Sequence, residues 1–245
     1  MKENKYDDPV FFGAYGKMTR SQKGLSGAGE WYILREMLPD LTGKDILDLG
    51  CGFGWHCRYA VENGATSVTG IDISEKMLER ARAINSLPTI RYEHVALEDA
   101  IFPKAHFDLV FSSLALHYVK PFDALIRNIY RWLKPGGNFI FSVEHPVFTA
   151  KGTQDWMYDD EGRRLCWPVD SYFIEGKRNT LFLGEQVVKY HRTLTGYLSP
   201  LIKQGFRIID VQEPVPDTEM LVEIPDMRDE LRRPMMLLIS VRKQR

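Results

Sequence analysis

Three observations predict an α/β fold with a doubly wound, mostly parallel sheet. Short apolar runs alternate with helical patterns between residues 45 and 143. The first run, Asp45-Ile46-Leu47-Asp48-Leu49, enters a turn containing Gly50, Gly52 and Gly54. The second run ends in a carboxylate, Asp72. Alternation of this kind places helices on both faces of a parallel sheet. A strand, a glycine turn, a helix and a strand-end acid together form a nucleoside-binding crevice at the carboxyl edge of the sheet.

The elements follow in order. Residues 1–27 are polar but carry Phe11, Phe12 and Tyr15, rings that need a surface to cover, so they are not a linker. Trp31, Leu34 and Leu38 share a helical face that ends at Pro39. Strands are expected at 45–49, 67–71, 90–95, 107–111 and 138–143. A helix over 54–63 stops at Asn63-Gly64. Ser74 caps the next helix, whose apolar stripe is Met77, Leu78, Ala81 and Ile84. Phe122, Leu125, Ile126, Ile129 and Leu133 mark an amphipathic helix, which Pro135-Gly136-Gly137 terminates. Residues 148–190 hold Trp156, Tyr158, Trp167, Tyr172, Phe173, Phe182 and Tyr190 and no helical pattern, too long a stretch for a plain connection. They are expected to form an inserted cap with a hairpin near Gly184. A helix over 195–204 closes at Gly205, and strands follow at 206–211 and 235–241. The whole chain, 1–245, is expected to be one domain, with 1–27 as an N-terminal lid.

The glycine spacing narrows the ligand. A dinucleotide fingerprint, G-x-G-x-x-G, needs glycine at position 55, where this chain has the bulky Trp55. The pattern is instead Asp48-x-Gly50-x-Gly52-x-Gly54. An acid before the turn repels a pyrophosphate and suits a ligand with an ammonium group and no phosphate. S-adenosylmethionine is such a ligand. The segment resembles motif I of the class I S-adenosylmethionine-dependent methyltransferases. Gly70-Ile71-Asp72-Ile73-Ser74 resembles the end of that family's second strand. Residues 107–117 resemble its fourth strand and following loop, and Leu133-Lys134-Pro135-Gly136-Gly137 the turn before its fifth. The likeness spans roughly residues 40–145. It implies a seven-stranded Rossmann-like sheet whose last two strands form an antiparallel edge hairpin.

On this reading Asp48, Gly50, Cys51, Gly52 and Gly54 form the cofactor turn. Asp72 accepts hydrogen bonds from the ribose hydroxyls, each worth about 1.5–3 kcal/mol. Ile73 packs on the adenine. Ala96 stands where many family members have an acid, so Leu97 and Glu98 take over the adenine contacts. Ser112 lies beside the methionine portion, His117 faces the ligand, and Tyr15 and Met18 cover it. On the acceptor side, Glu144 and His145 end the fifth strand and His191 leaves the cap. A histidine beside an acid suits general-base work. The sulfonium is an activated donor, so the protein must orient an oxygen, nitrogen or carbon nucleophile and exclude water. The product is S-adenosylhomocysteine.

Composition excludes other classes. The formal net charge of −1 gives no basic field for nucleic acid. No apolar run reaches the roughly 20 residues of a membrane span, and the N-terminus lacks an apolar signal core. Three cysteines are too few for a disulfide framework, which suits a reducing cytoplasm. No metal-ligand spacing is present. The aromatic cap suits a flat, partly apolar small molecule, aromatic or heterocyclic. The competing readings are a non-catalytic S-adenosylmethionine-binding protein and a nucleic-acid methyltransferase, with an aminopropyltransferase and a nicotinamide-dependent oxidoreductase disfavoured. An Asn/Asp-Pro-Pro-aromatic signature after the fourth strand would favour base methylation, and Ser112-Ser113-Leu114-Ala115 is not one.

Overall fold

The computed structural model describes residues 4–216, 218–223 and 225–245. Seven strands form one sheet: β1 (Asp45–Leu49), β2 (Ser67–Asp72), β3 (Ile90–His94), β4 (Phe107–Ser113), β5 (Leu133–Glu144), β6 (Phe206–Gln212) and β7 (Met236–Lys243). Their order is β6-β7-β5-β4-β1-β2-β3. Strands β1 to β5 pair in parallel, while β7 runs antiparallel to β5 and to β6. This is the doubly wound sheet with an antiparallel edge hairpin that the sequence predicts.

Alternation along each strand divides the core in two. Leu47, Leu49, Phe139 and Phe141 face the helices Phe122–Trp132 and Leu194–Gln204. Ile46, Val68, Ile140 and Leu238 face the helices Trp31–Met37 and Trp55–Glu62. The caps are local. Ser74 Oγ accepts the Met77 amide, Thr193 Oγ1 accepts the Gly196 amide, and Gly205 closes its helix in the left-handed conformation.

Two segments differ from the sequence pattern. The strand expected to start at 138 begins at Leu133, and its partners in β4 jump from Phe107 opposite Leu133 to Leu109 opposite Asn138. The Pro-Gly-Gly turn is therefore a bulge inside β5. Lys134 anchors it, with Nζ 3.0 Å from Asp45 and 2.7 Å from Asp108. The long insert holds a short helix, Pro146–Thr149, and two hairpins, Met157–Tyr158 with Arg164–Cys166 and Gly176–Phe182 with Glu185–His191. The second hairpin turns at Leu183 and Gly184, both at positive φ, as a two-residue hairpin loop requires. Among the described residues, no helix is long and apolar enough to cross a membrane.

Asp48 is the exceptional core residue. Strand alternation puts it on the same face as Ile46, beneath the helix Trp55–Glu62, and it is 2% exposed. Oδ2 accepts the Cys57 thiol at 3.3 Å, and Oδ1 has no hydrogen-bond partner among the described residues. Burial pushes its pKa up to about 7 from the ordinary 3.8, Asp72 adds to the rise, and the Cys57 hydrogen bond offsets part of it.

Two predictions follow from these buried contacts. The folded-state pKa of Asp48 lies above its unfolded value, so the stability it contributes is full below pH 4 and is lost as pH rises through about 7. Asp48→Asn should therefore match wild type in melting temperature at pH 4 and exceed it at pH 8. Equal melting at both values would contradict this burial. Gly54 has a φ of 75°, and a Cβ there would lie 2.1 Å from Tyr92 Oη. Gly54→Ala should cost more than about 1 kcal/mol in urea unfolding. An unchanged midpoint would contradict the packing.

Candidate active site

A cavity of about 540 Å³ opens at the carboxyl edge of the sheet, where the strand order reverses between β1 and β4. Its floor is the turn after β1, the ends of β2 and β4, and Glu144 at the end of β5. The N-terminal segment and the second hairpin of the insert supply further walls through Tyr6, Tyr15 and Phe182.

The nucleoside end is organised by Asp72. Its Oδ2 accepts the Gly52 amide at 2.9 Å and its Oδ1 accepts the Ser74 amide at 2.9 Å. Burial raises its pKa, and the two backbone hydrogen bonds offset only part of that rise. Each carboxylate oxygen has a further lone-pair site for a hydroxyl donor. Gly52 lies at a φ of 53°, and a Cβ there would meet nothing within 4 Å. A side chain at this position would project into open space beside Asp72, which glycine leaves for a ligand. Ile73, Ala96, Leu97 and Glu98 continue the wall around this end.

At the next part of the cavity stand Arg20 and Glu30, which no sequence motif marks. Arg20 Nη2 lies 3.0 Å from Glu30 Oε1, and Ser113 Oγ donates to the same oxygen at 3.2 Å. Glu30 is 1% exposed, yet its Oε2 has no hydrogen-bond partner among the described residues. An orphaned buried carboxylate oxygen in a cavity wall is an unmet demand for a donor. The pair offers a carboxylate to an ammonium group and a guanidinium to a carboxylate. That is the donor set an amino-acid tail needs. With Asp72 for a ribose and apolar walls for an adenine, these residues fit S-adenosylmethionine.

Beyond them lie Tyr6, Tyr15, Tyr118, His117 and Glu144. Burial raises the pKa of all three tyrosines, which stay neutral phenols. Burial also lowers His117 to about 4, so its ring is neutral at pH 7. Burial alone would raise Glu144, but His117, Lys189 and hydrogen bonds from Lys189 and Gln154 outweigh it and hold the carboxyl below its ordinary range.

The structure brings Tyr15, Met18, Gly50, Gly52, Asp72, Ile73, Leu97, Glu98, His117 and Glu144 to one cavity. Other expected residues sit behind it. Asp48 points under the turn instead of toward a ligand's ammonium group. Cys51 is buried, with its amide donating to Ile71 O at 3.0 Å, and Gly54 packs on Tyr92. Ser112 Oγ donates to Leu49 O at 2.8 Å, tying β4 to β1.

The two histidines expected as bases lie outside the cavity wall, for local reasons. His145 Nδ1 caps the helix Pro146–Thr149 by accepting the Val147 amide at 3.0 Å. Its Nε2 is 2.7 Å from Glu213 Oε1, and burial lowers its pKa, with Glu213 offsetting part of that fall. Both ring nitrogens of His191 are engaged, with Thr149 Oγ1 at 2.7 Å and Tyr172 O at 2.8 Å. Among the described residues, no cluster of three or more His, Cys, Asp or Glu side chains is arranged to hold a metal ion.

Comparison with known proteins agrees with this geometry. Residues 47–141 match the methyltransferase domain family. An uncharacterised protein of Haemophilus influenzae is 35% identical over 253 residues, covering 99% of this chain and 98% of its own. The ubiquinone biosynthesis O-methyltransferase of Neisseria meningitidis serogroup A is 32% identical over 200 residues, covering 68% of this chain and 83% of its own. The crystal structure of an S-adenosylmethionine dependent methyltransferase from Mesorhizobium loti superposes with a TM-score of 0.84 at 49% identity, covering 90% of this chain and 100% of that one. The glycine turn, the Asp72 cradle and these matches together make the chain a member of the class I S-adenosylmethionine-dependent methyltransferases.

Proposed function

We propose that this methyltransferase acts on a small organic acceptor, enclosed between an N-terminal lid (residues 1–27) and a cap (residues 148–190). The observation that carries this reading is the contact between those two segments beside the cavity, which Lys5 and Phe182 both line. Lys5 Nζ lies 3.1 Å from Glu185 on the second hairpin, and the rings of Phe11 and Phe182 are 5.8 Å apart. The same N-terminal segment grips the cofactor strand. Asn4 Nδ2 donates to Ile73 O at 3.2 Å, and Ser74 Oγ donates to Asp7 at 2.6 Å. A covered cavity suits a reaction that must exclude water and admits a molecule rather than a polymer. The Neisseria relative, a ubiquinone biosynthesis O-methyltransferase, supports a small-molecule acceptor. The free thiols of Cys51, Cys57 and Cys166 suit a reducing compartment, and we place the enzyme in the cytoplasm.

Bound S-adenosylmethionine supplies an activated methyl group. The chain's own residues hold and orient. Asp72 and the Gly52 backbone fix the ribose, Ile73 and Leu97 flank the adenine, and Arg20 with Glu30 fixes the amino-acid tail. The neutral rings of Tyr6, Tyr15 and Tyr118 keep water from the acceptor without themselves offering a base. Orientation of this kind can supply about 7–11 kcal/mol of the barrier.

Calorimetric titration tests the cofactor roles. Wild-type protein should bind S-adenosylmethionine and S-adenosylhomocysteine and should not bind NAD. Asp72→Ala should weaken both S-adenosyl ligands by about tenfold or more, the value of a charge-assisted hydrogen bond. An unchanged affinity would remove Asp72 from the site. The lid and cap are tested by limited proteolysis. S-adenosylhomocysteine with a bound acceptor should protect residues 1–27 and 148–190 together, and identical cleavage with and without them would contradict closure.

A further inference from the structure

We propose that Glu144 is the acceptor-binding group of the cavity and that it selects an uncharged hydroxy compound, with Lys189 and Gln154 positioning it. The proposal deepens the small-molecule reading and rests on it.

Glu144 is a partly buried acid that lines the cavity, and its side chain is 14% exposed. Lys189 Nζ donates to Oε1 at 2.5 Å and Gln154 Nε2 donates to Oε2 at 2.8 Å. The scaffold behind these donors is closed. Lys189 Nζ also reaches Gln154 Oε1 at 3.1 Å, and Thr180 Oγ1 donates to that same oxygen at 2.8 Å. Lys189 is itself 2% exposed, and its ammonium lies 5.0 Å from the centre of the Phe182 ring. The insert therefore reaches through its second hairpin to hold one carboxylate at the end of β5. Each oxygen of an ionised carboxylate has two acceptor sites, and here only one on each is used by these donors. The remaining sites accept hydrogen bonds and cannot donate them.

The surroundings define what can bind there. Tyr6, Tyr15, Tyr118 and Phe182 give aromatic walls, and the Tyr6 and Tyr118 hydroxyls lie 3.3 Å apart. Among the described residues, His117, Tyr118, Tyr197 and Lys189 interact electrostatically with Glu144, and Arg192 and Arg20 act on the adjoining His117. The histidine and tyrosines are neutral at pH 7, so Lys189 and Glu144 offset one another. A cationic acceptor would meet the ammonium of Lys189 behind the acid. An anionic acceptor would meet Glu144 itself. A neutral hydroxyl on an apolar body suits both the walls and the acceptor oxygens. In the transfer the hydroxyl oxygen forms its bond to the methyl carbon as the carbon–sulfur bond breaks. The bonding pair stays on sulfur, and the hydroxyl proton passes to Glu144, which releases it to solvent after the products leave.

The test is calorimetric binding to protein saturated with S-adenosylhomocysteine, using phenol, anisole, benzylamine and phenyl phosphate. Phenol should bind about tenfold or more tightly than the other three. Glu144→Gln should abolish that preference and leave S-adenosylhomocysteine affinity unchanged, which also shows that the variant folds. Lys189→Met should move the acidic limb of phenol binding to higher pH, because Glu144 then loses the cation that favours its charged form. No phenol binding to the saturated protein, equal binding of anisole, tighter binding of benzylamine or phenyl phosphate, or full preference in Glu144→Gln would each overturn the proposal. Failure of the wild type to take up S-adenosylhomocysteine would overturn the cofactor reading beneath it as well.

Discussion

The carboxylate of Asp72 holds the site together. It sits half-buried at the end of β2 and is bonded to two amides, one in the glycine turn and one at the start of the next helix. Those bonds fix the distance between the turn after β1 and the end of β2, which is the width of the nucleoside crevice. Its neighbours Ile73 and Ser74 are the points where the N-terminal segment attaches, through Asn4 and Asp7. Sheet, turn and N-terminal segment therefore meet around one acid. A carboxylate can do this because it accepts several hydrogen bonds at once and still has lone pairs for a ligand.

The remainder of the cavity shows a division of charge. Three acids of the wall have a cation beside them: Glu30 has Arg20, Glu144 has Lys189 from the insert, and Glu230 has Arg233 one helical turn away. Paired in this way, the acids remain usable acceptors without giving the buried space a strong field. The pairing also joins segments. Arg233 stacks 4.2 Å over the Trp167 ring and 4.6 Å over Phe148, which fastens the stretch before β7 to the insert. The insert is thereby connected to the sheet at the hairpin by Lys189 and at its first half by Arg233.

Much of the fold was legible because its determinants are local. The apolar runs, Ser74, Gly205 and the turn at Gly184 each sit beside the partner they need. Asp72 and the glycine turn were legible for the same reason. Other parts depended on contacts distant in sequence. Nothing around Arg20 or Glu30 announces that they form a pair lining the cavity, since the partner Ser113 is 83 positions away from Glu30. Asp48 was read from its motif as facing the ligand, but strand alternation sets its side chain beside Ile46 under the next helix. His145 reads as a base from its neighbour Glu144, and His191 from its place at the end of the insert. Their ring nitrogens are instead occupied by Val147, Thr149 and Tyr172. The β5 bulge was hidden because a Pro-Gly-Gly sequence reads as a stop, whereas Lys134 bridges two strand-start acids and keeps the chain in the ladder.

The central claim is that one cavity holds S-adenosylmethionine by Asp72, the glycine turn and the Arg20–Glu30 pair. A crystal structure with S-adenosylhomocysteine tests it most directly. The account predicts both ribose hydroxyls on the Asp72 carboxylate, the adenine against Ile73 and Leu97, and the amino-acid tail between Arg20 and Glu30. Ligand density elsewhere, or a ribose with no contact to Asp72, would contradict it.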